Sequence, residues 1–258
     1  MRSLGEHALT IAAGVVVPVG LLLCLEVASR GGLVDPTFLP PPSAILATVW
    51  GIVASGSFLA PLAQTIAFLV VGYGTGCVAA ITLGILMGYS RAVYNLFEPL
   101  VELLRPLPKA ALLPVLILFL GLGAKMEITI VALGCFFPVL INTLQGVRAV
   151  EPTMIDTART FGHGTFAIWR RILVPASAPY ILAGMRVSLG LGLILVVTAE
   201  MIAGSGGLGD AILSAQRTFR VKESYAWLVV LAALGLVLTG LFSWLERRIA
   251  FWNAPSTQ

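Results

Sequence analysis

The sequence predicts an all-α integral membrane protein with about six membrane-spanning helices. Hydrophobic residues make up 58% of the 258 residues, charged residues make up only 11%, and the mean hydropathy is +0.98. A soluble domain usually carries about a quarter charged residues. Several apolar runs reach the roughly 20 residues that a helix needs to cross the hydrocarbon layer. These runs lack the alternating pattern of a membrane barrel, so we expect helices.

Six apolar stretches are long enough to be spans. They cover approximately residues 8–29, 62–89, 98–120, 127–147, 181–203 and 224–245. The first stretch begins like a signal peptide, but its apolar run is long for one, so we expect it to be retained as an extra N-terminal span. We therefore predict one transmembrane domain over residues 1–258, with its core at about 62–245.

The positions of the basic residues predict that both termini are cytoplasmic. Cytoplasmic loops of membrane proteins carry an excess of Lys and Arg. With the N-terminus inside, the inner side receives the larger group: Arg2, Arg91, Arg148, Arg159, Arg170, Arg171, Arg247 and Arg248. The outer side keeps Arg30, Lys125, Arg217, Arg220 and Lys222. Because these residues are scattered at helix ends, they do not form the patch that nucleic-acid binding needs.

Small residues recur along the second span. They occupy every fourth position: Gly72, Gly76, Ala80, Gly84 and Gly88. This spacing places them on one helix face, where a neighbouring helix can approach closely. The stripe predicts either ordinary helix packing or a helix that lines a transport pathway.

A few polar residues lie near the ends of the spans, and the sequence allows more than one role for them. Glu200 lies near the outer end of the fifth span, just before a stretch with three glycines in four positions. Ionisable residues in spans usually face protein or water, so we expect Glu200 either to bond loop amides or to act at an outer gate. Arg105, Lys109 and Arg186 are expected to be interface anchors or anion contacts. In the outer segment 30–61, Ser43 follows three prolines and is predicted to cap a short helix.

The only sizeable hydrophilic loop on the inner side covers residues 148–180. It predicts two short helices broken at Gly162–His163–Gly164, with Thr165 as the cap of the second helix and Pro175 and Pro179 ending it. The second helix is expected to present an apolar face: Phe166, Ile168, Trp169, Ile172 and Leu173. An exposed apolar and basic helix pair is typical of a docking surface for another protein.

The spacing within this loop resembles the motif of ABC importer permeases. That motif reads Glu-Ala-Ala, three residues, Gly, nine residues, Ile, two residues and Pro. The corresponding residues here are Asp156, Thr157, Ala158, Gly162, Ile172 and Pro175. Asp in place of Glu keeps the charge, and Thr in place of Ala is still small. The resemblance implies that the loop contains a coupling helix that docks on an ATPase subunit.

Five further stretches make the resemblance more specific. FLPPPSAI, RPLPKAALLPVLILFLGLG, FFPVLINTLQGVRAVEP, AEMIAGSGGLGDAI and LERRIAFW are similar to permeases of the nitrate/sulfonate/taurine importer family. The resemblance implies a type I importer-like fold, a homodimer in a bacterial inner membrane, two ATPase subunits and a periplasmic or lipid-anchored binding protein. The expected solute is a small anion such as a sulfonate, taurine or nitrate. A vitamin precursor or an aromatic acid is the alternative.

The chain is not expected to hydrolyse ATP itself. It contains no GxxxxGK[ST] phosphate loop, so ATP and Mg²⁺ are expected on the partner ATPase subunits, with no cofactor or metal bound here. Four residues of the loop are candidates for contacts with the ATPase: Arg159, Trp169, Arg170 and Arg171. The three arginines are equally well explained as residues that fix the orientation in the membrane.

Two other classes of membrane protein fit the sequence less well. A secondary transporter driven by an ion gradient would show inverted repeats and paired broken helices with ionisable residues at mid-membrane, and we find no such repeat. A membrane enzyme would need clustered His, Asp or Cys, but His7 and His163 lie far apart and outside the spans. Neither class explains the spaced motif at 156–175.

Overall fold

The computed structural model describes residues 4–249 and the side chains of residues 16–248. This part of the chain is almost entirely helical, which confirms the predicted all-α fold. Its α-helices are α1 (Leu4–Arg30), α2 (Pro42–Ala54), α3 (Leu59–Tyr89), α4 (Arg91–Leu104), α5 (Leu113–Leu120), α6 (Ala124–Arg148), α7 (Pro152–Thr160), α8 (Thr165–Ile168), α9 (Val174–Ala203), α10 (Leu208–Arg217) and α11 (Val221–Ile249). A 3₁₀ turn, Lys109–Leu112, precedes α5, and a π-helical turn, Trp169–Leu173, joins α8 to α9.

Four helical runs among the described residues are long and apolar enough to cross a membrane. They are Leu59–Tyr89, Ala124–Arg148, Thr165–Ala203 and Val221–Arg248, and they contain four of the six predicted spans. The first predicted span, 8–29, falls in α1, where the side chains up to residue 15 lie outside the described part. Arg2 and the last residues of the LERRIAFW stretch also lie outside it.

The third predicted span, 98–120, is broken. Helix α4 and the segment Lys109–Leu120 form a pair bent by 89°, which makes a fifth span only if the two halves are counted together. Pro106 and Pro108 stand at the bend. Proline has no amide hydrogen to donate within a helix, and its ring clashes with a carbonyl group of the preceding turn. The apolar run therefore predicted the right segment, but two prolines divide it.

The side chain of Lys109 stabilises this bend. Its ammonium group donates hydrogen bonds to the carbonyl oxygens of Leu104, Arg105 and Leu107 at 2.7, 3.2 and 3.0 Å. The Leu104 and Arg105 carbonyls stand where α4 ends, and Leu107 lies in the bend that follows. A cation near a helix C-terminus is also favoured by the helix dipole. Lys109 thus acts as a C-terminal cap, a role that neither of the two sequence-based interpretations included.

The chain divides into two compact units, residues 1–59 with 211–231 and residues 60–210 with 232–258. In the first unit, Ser43 does not cap α2. The helix begins at Pro42 with Pro41 in the capping position, because proline suits the first turn, where no amide donor is needed. The amide and hydroxyl of Ser43 instead donate to the carboxylate of Glu26 at 2.9 and 2.7 Å, and this ties α2 to α1.

In the second unit, α6 packs between α3 and α9. Four of the five predicted small residues of α3 make the close approach possible. A Cβ atom on Gly72 would lie 2.7 Å from the carbonyl oxygen of Ile128, and one on Gly84 would lie 2.7 Å from Cβ of Thr143. Gly76 and Gly88 meet α6 at similar distances. The stripe is therefore a helix-packing face, and its role in a pathway stays a prediction.

The division into two units does not test the prediction of one transmembrane domain over 1–258 with a core at 62–245. The units follow contacts between residues, and they cut α10 and α11 part-way along. The single domain therefore stays a prediction.

Candidate functional site

Helix α7, which carries the first half of the spaced motif, ends in a Schellman motif at Gly162. The amide of Gly162 donates to the carbonyl oxygen of Arg159 at 2.9 Å, and the amide of His163 donates to that of Ala158 at 3.0 Å. Gly162 has φ +75°, a conformation that glycine adopts without strain. The predicted break between two helices at this glycine is therefore confirmed, and the backbone explains why glycine stands there.

The second half of the loop is continuous with the following span. Helix α8, the π-helical turn and α9 form one helical run, Thr165–Ala203, of 39 residues. The prediction that Pro175 and Pro179 end a separate helix is wrong. Pro175 falls in the first turn of α9, and the run also passes through Pro179. The predicted cap is also displaced by one residue, because Gly164 rather than Thr165 precedes α8.

Most apolar residues of this second half point into the protein. Ile168 and Leu173 are 1% and 0% exposed, and they form a cluster with Ala158 of α7 and residues of α3 and α6. Trp169 and Ile172 pack against the same cluster. The expectation that these four side chains form an exposed docking face is wrong, because the helix must bury them to pack on the spans.

The exposed apolar residues of the segment lie at its turn. Phe161 and Phe166 are 78% and 75% exposed, on either side of the glycine break. Of the remaining motif and candidate residues, Ala158 is buried and Ile172 half-buried. The others are exposed: Asp156, Thr157, Arg159, Gly162, Arg170, Arg171 and Pro175. The turn therefore presents two large rings beside charged and small residues.

Arg159 is held by contacts within the chain. Its guanidinium donates to the hydroxyl oxygen of Tyr89 at 3.1 Å and lies 3.4 Å from the carboxylate of Asp156. The bond to Tyr89 raises the pKa of Arg159 above its ordinary value, and Asp156 adds a smaller contribution in the same direction. Trp169 meets the ring of Tyr89 edge-on, with the ring centroids 5.8 Å apart.

At the opposite ends of α3, α6 and α9, Glu200 joins α9 to α3 and to the glycine-rich loop. Its carboxylate is fully buried and accepts hydrogen bonds from the hydroxyl of Thr65 at 2.7 Å and from the amide of Gly209 at 2.9 Å. The Thr65 hydroxyl oxygen in turn accepts from the amide of Leu208 at 2.9 Å. A Cβ atom on Gly207 would lie 2.1 Å from Cδ of Glu200, so a side chain there would displace the Glu200 carboxylate from its hydrogen bonds.

Sequence reasoning missed three residues around this loop: Thr65, Gln64 and Glu127. Gln64 donates from its side-chain amide to the carbonyl oxygen of Ser205. Glu127 of α6 is fully buried, and neither of its carboxylate oxygens accepts a hydrogen bond from any described residue. An acidic residue at the end of an apolar span was the available signal for both carboxylates, since Glu127 opens α6 and Glu200 lies in the last turn of α9. Gln64 lies near the start of α3 and gave no comparable signal, because polar residues are common where a span begins at the membrane boundary.

Residues 80–251, two thirds of the chain, match the family of binding-protein-dependent transport system inner membrane components. The chain belongs to this family. The match begins inside α3 and covers the spaced motif, the long helical run and the glycine-rich loop. The protein is therefore a multi-pass membrane permease, as the motif spacing predicted.

Curated relatives resemble nearly the whole permease. A protein of Methanocaldococcus jannaschii named as an ABC transporter permease is 36% identical over 224 residues, which are 85% of this chain and 84% of that protein. A Bacillus subtilis permease named for aliphatic sulfonates is 30% identical over 93% of this chain and 87% of its own length. The taurine transport system permease protein of Escherichia coli is 30% identical over 86% and 82%.

Solved structures agree with the fold. The permease matches a chain of the MetNI methionine ABC transporter in an inward-facing conformation with a TM-score of 0.63 and 17% sequence identity. The match covers 74% of this chain and 95% of that one. It confirms the predicted ABC importer permease fold.

Proposed function

We propose that this permease is the membrane subunit of an ATP-driven importer for small sulfonates, and that the segment 151–173 couples it to separate ATPase subunits. Two ATPase subunits bind on the cytoplasmic side, a second copy of the permease completes the pathway, and a solute-binding protein delivers the solute from outside. In this arrangement both termini are cytoplasmic, and the glycine-rich loop lies on the outer side.

The construction of the turn between α7 and α8 supports the coupling role. Phe161 and Phe166 expose their rings at the turn, where Gly162 fixes the backbone direction. Exposed aromatic residues are typical anchors of protein interfaces. Because α8 continues into α9 without interruption, a displacement of the turn is passed directly to a membrane span. This continuity is the single observation that carries the proposal.

The composition of the turn also fits an ATPase contact. Arg170 and Arg171 are exposed after α8, and Asp156 and Thr157 are exposed on α7. The segment thus adds charged and small side chains to its two exposed rings, as in the rim of a protein interface. Since the chain has no phosphate loop of its own, ATP and Mg²⁺ belong to the bound partner.

The choice of sulfonates rests on the relatives. The B. subtilis and E. coli permeases, which are similar over most of their length, are named for aliphatic sulfonates and for taurine. Taurine is itself a small sulfonate, so the two names agree on one chemical class. A sulfonate is a small anion, the solute class that the family resemblance implies.

The proposal is tested in vesicles that contain the permease, the ATPase and the binding protein encoded beside it. We expect uptake of labelled taurine or ethanesulfonate that requires ATP and persists when ion gradients are collapsed. The double variant Phe161→Ala/Phe166→Ala is expected to lose most of this uptake and to release the ATPase on purification. Leu122→Ala is the matched control, because Leu122 is 62% exposed at the opposite end.

Three outcomes would contradict parts of the proposal. Uptake that needs an ion gradient and no ATP would show a secondary transporter. Uptake of nitrate, a vitamin precursor or an aromatic acid instead of sulfonates would overturn the solute class and leave the ATP-driven importer standing. A double variant that keeps both uptake and the ATPase would remove the coupling role of the turn.

A further inference from the structure

Helix α3 is not adjacent in the chain to the proposed coupling segment. The segment is entered from α6 and left through α9, whereas the last residue of α3, Tyr89, lies 70 positions before Arg159. A displacement of α7 reaches α6 and α9 through the backbone. It reaches α3 through the packing of α3 on α6 and through side-chain contacts between the coupling segment and the end of α3. The second route acts on α3 directly.

Side-chain packing between α7 and the end of α3 is partial. Ala158 of α7 shares a buried cluster with Ile85 of α3. Beside this cluster lies an open cleft of about 160 Å³, whose walls include Gly88, Tyr89, Ile155, Asp156 and Arg159. Atoms across a gap contribute no dispersion contacts. The polar contact that crosses from α7 to α3 is the hydrogen bond from Arg159 to the Tyr89 hydroxyl, at 3.1 Å.

Several observations show that this contact is directed. Asp156, three residues before Arg159 on α7, lies 3.4 Å from the guanidinium and orients it. The Tyr89 ring is fixed from the other side by Trp169, which meets it edge-on at 77°. The Arg159 guanidinium also lies 5.8 Å from the centre of the Tyr89 ring. Residues from both halves of the coupling segment thus converge on a single tyrosine of α3.

We propose that the Tyr89 hydroxyl is the positioning group through which movement of the coupling segment reaches α3. This inference rests on the proposed function, in which α7 moves with the ATPase. Arg159 then acts inside the permease, by holding α7 to Tyr89, rather than as an ATPase contact. A charged hydrogen bond of this kind keeps its geometry better than apolar packing alone, because it depends on direction as well as distance.

The test measures whether α3 follows α7. Spin labels are placed on exposed positions of the two helices, through Thr82→Cys and Thr153→Cys. Cys24→Ser removes the exposed native thiol, while Cys77 and Cys135 are buried and do not react. The labelled chain is mixed with excess chain lacking the two added cysteines, so that each complex carries at most one labelled copy. The distance is measured in the complete complex without nucleotide and with ATP and vanadate.

With the native Tyr89, we expect the same label distance in both nucleotide states, because α3 and α7 move together. Tyr89→Phe keeps the ring but removes the hydroxyl, and we expect the distance to shift between the states by more than the width of its distribution. Solute carried per ATP hydrolysed should fall at least about threefold, because the ATPase still cycles while α3 lags. A merely structural tyrosine would not change this ratio in an assembled complex.

Tyr94→Phe is the matched control. Tyr94 interacts with Arg148 through the face of its ring, with the guanidinium 3.8 Å from the ring centre, so removal of its hydroxyl should change neither readout. On the α7 side, Arg159→Lys keeps a charged donor and should retain part of the coupling, whereas Arg159→Leu should match Tyr89→Phe. Tyr89→Phe and Arg159→Leu combined should be no worse than either alone, since both remove one contact.

The inference and the proposed function fail in different ways. A complex with the native Tyr89 that shows no ATP-dependent uptake refutes the proposed function. If uptake is present but Tyr89→Phe leaves both the label distance and the transport ratio unchanged, the positioning role of Tyr89 is refuted alone. A distance that already changes between states with the native Tyr89 also refutes it, because α3 then does not follow α7. Should Tyr89→Phe fail to assemble, Arg159→Leu decides between the same outcomes.

Discussion

Single residues at the turns of this permease are fixed by backbone geometry and close approach. Gly162 adopts φ +75° at the end of α7, and Gly207 lies so close to Glu200 that a side chain there would displace the buried carboxylate. The sequence shows a glycine at both positions, but only the structure shows why glycine is needed at each. At Gly162 the demand is a left-handed backbone, and at Gly207 it is space.

Gly162→Ala should strain the end of α7. An L-residue in the left-handed region costs roughly 1–2 kcal/mol, so we expect a lower melting temperature and severalfold less uptake per ATP hydrolysed. Gly164→Ala is the control, because Gly164 has φ −69° and open space where a Cβ would stand. Thermal unfolding of the purified permease and vesicle transport check the pair. Equal effects of the two substitutions would show that left-handed geometry is not what matters.

At the scale of helices, the structure differs from the sequence-based predictions at four prolines. Pro106 and Pro108 divide a predicted span, whereas Pro175 and Pro179 lie within a continuous helical run. Local rules treat all four as helix breakers. Tertiary contacts decide the outcome: Lys109 bonds the carbonyls freed at the bend, while the buried cluster around Leu173 holds the other run together.

Lys109→Met should loosen the bend between α4 and α5. The substitution keeps much of the apolar stem but removes three hydrogen bonds to carbonyl oxygens at the end of α4. Hydrogen bonds to charged groups contribute about 1.5–3 kcal/mol, and partial exposure reduces this, so we expect a loss of about 1–2 kcal/mol. Thermal unfolding in detergent measures it. Lys125→Met, at an exposed position, should change little, and an equally stable Lys109→Met protein would disprove the capping role.

At the scale of the whole molecule, the sequence was most informative about membrane spans and the family. Long apolar runs and the motif from Asp156 to Pro175 predicted the fold and the permease assignment, because hydrophobic length and fixed spacing are local properties of the chain. The sequence was less informative about which side chains point into the protein. Ile168 and Leu173 were expected outside and are buried, since the face that a short helix turns inward depends on its neighbours. The contact between Tyr89 and Arg159 joins distant positions and had no local signal.

The orientation predicted from basic residues can be tested in whole cells. In a Cys24→Ser background, we expect an impermeant maleimide to label Leu122→Cys in intact cells, because that position lies between α5 and α6 on the proposed outer side. His163→Cys, at the exposed turn after α7, should be labelled only after permeabilisation. Labelling in the reverse order would show that the proposed coupling turn faces outward and would exclude an ATPase partner in the cytoplasm.

The helical run Thr165–Ala203 is longer than a membrane requires. Its 39 residues correspond to about 58 Å at 1.5 Å per residue, whereas the hydrocarbon layer is about 30 Å thick. If the run tilts as one body about its midpoint, its two ends move in opposite directions. A tilt of about 10° around its midpoint would displace each end by about 5 Å in opposite directions. A small push at the turn near Phe166 would then become a displacement of similar size beneath the glycine-rich loop.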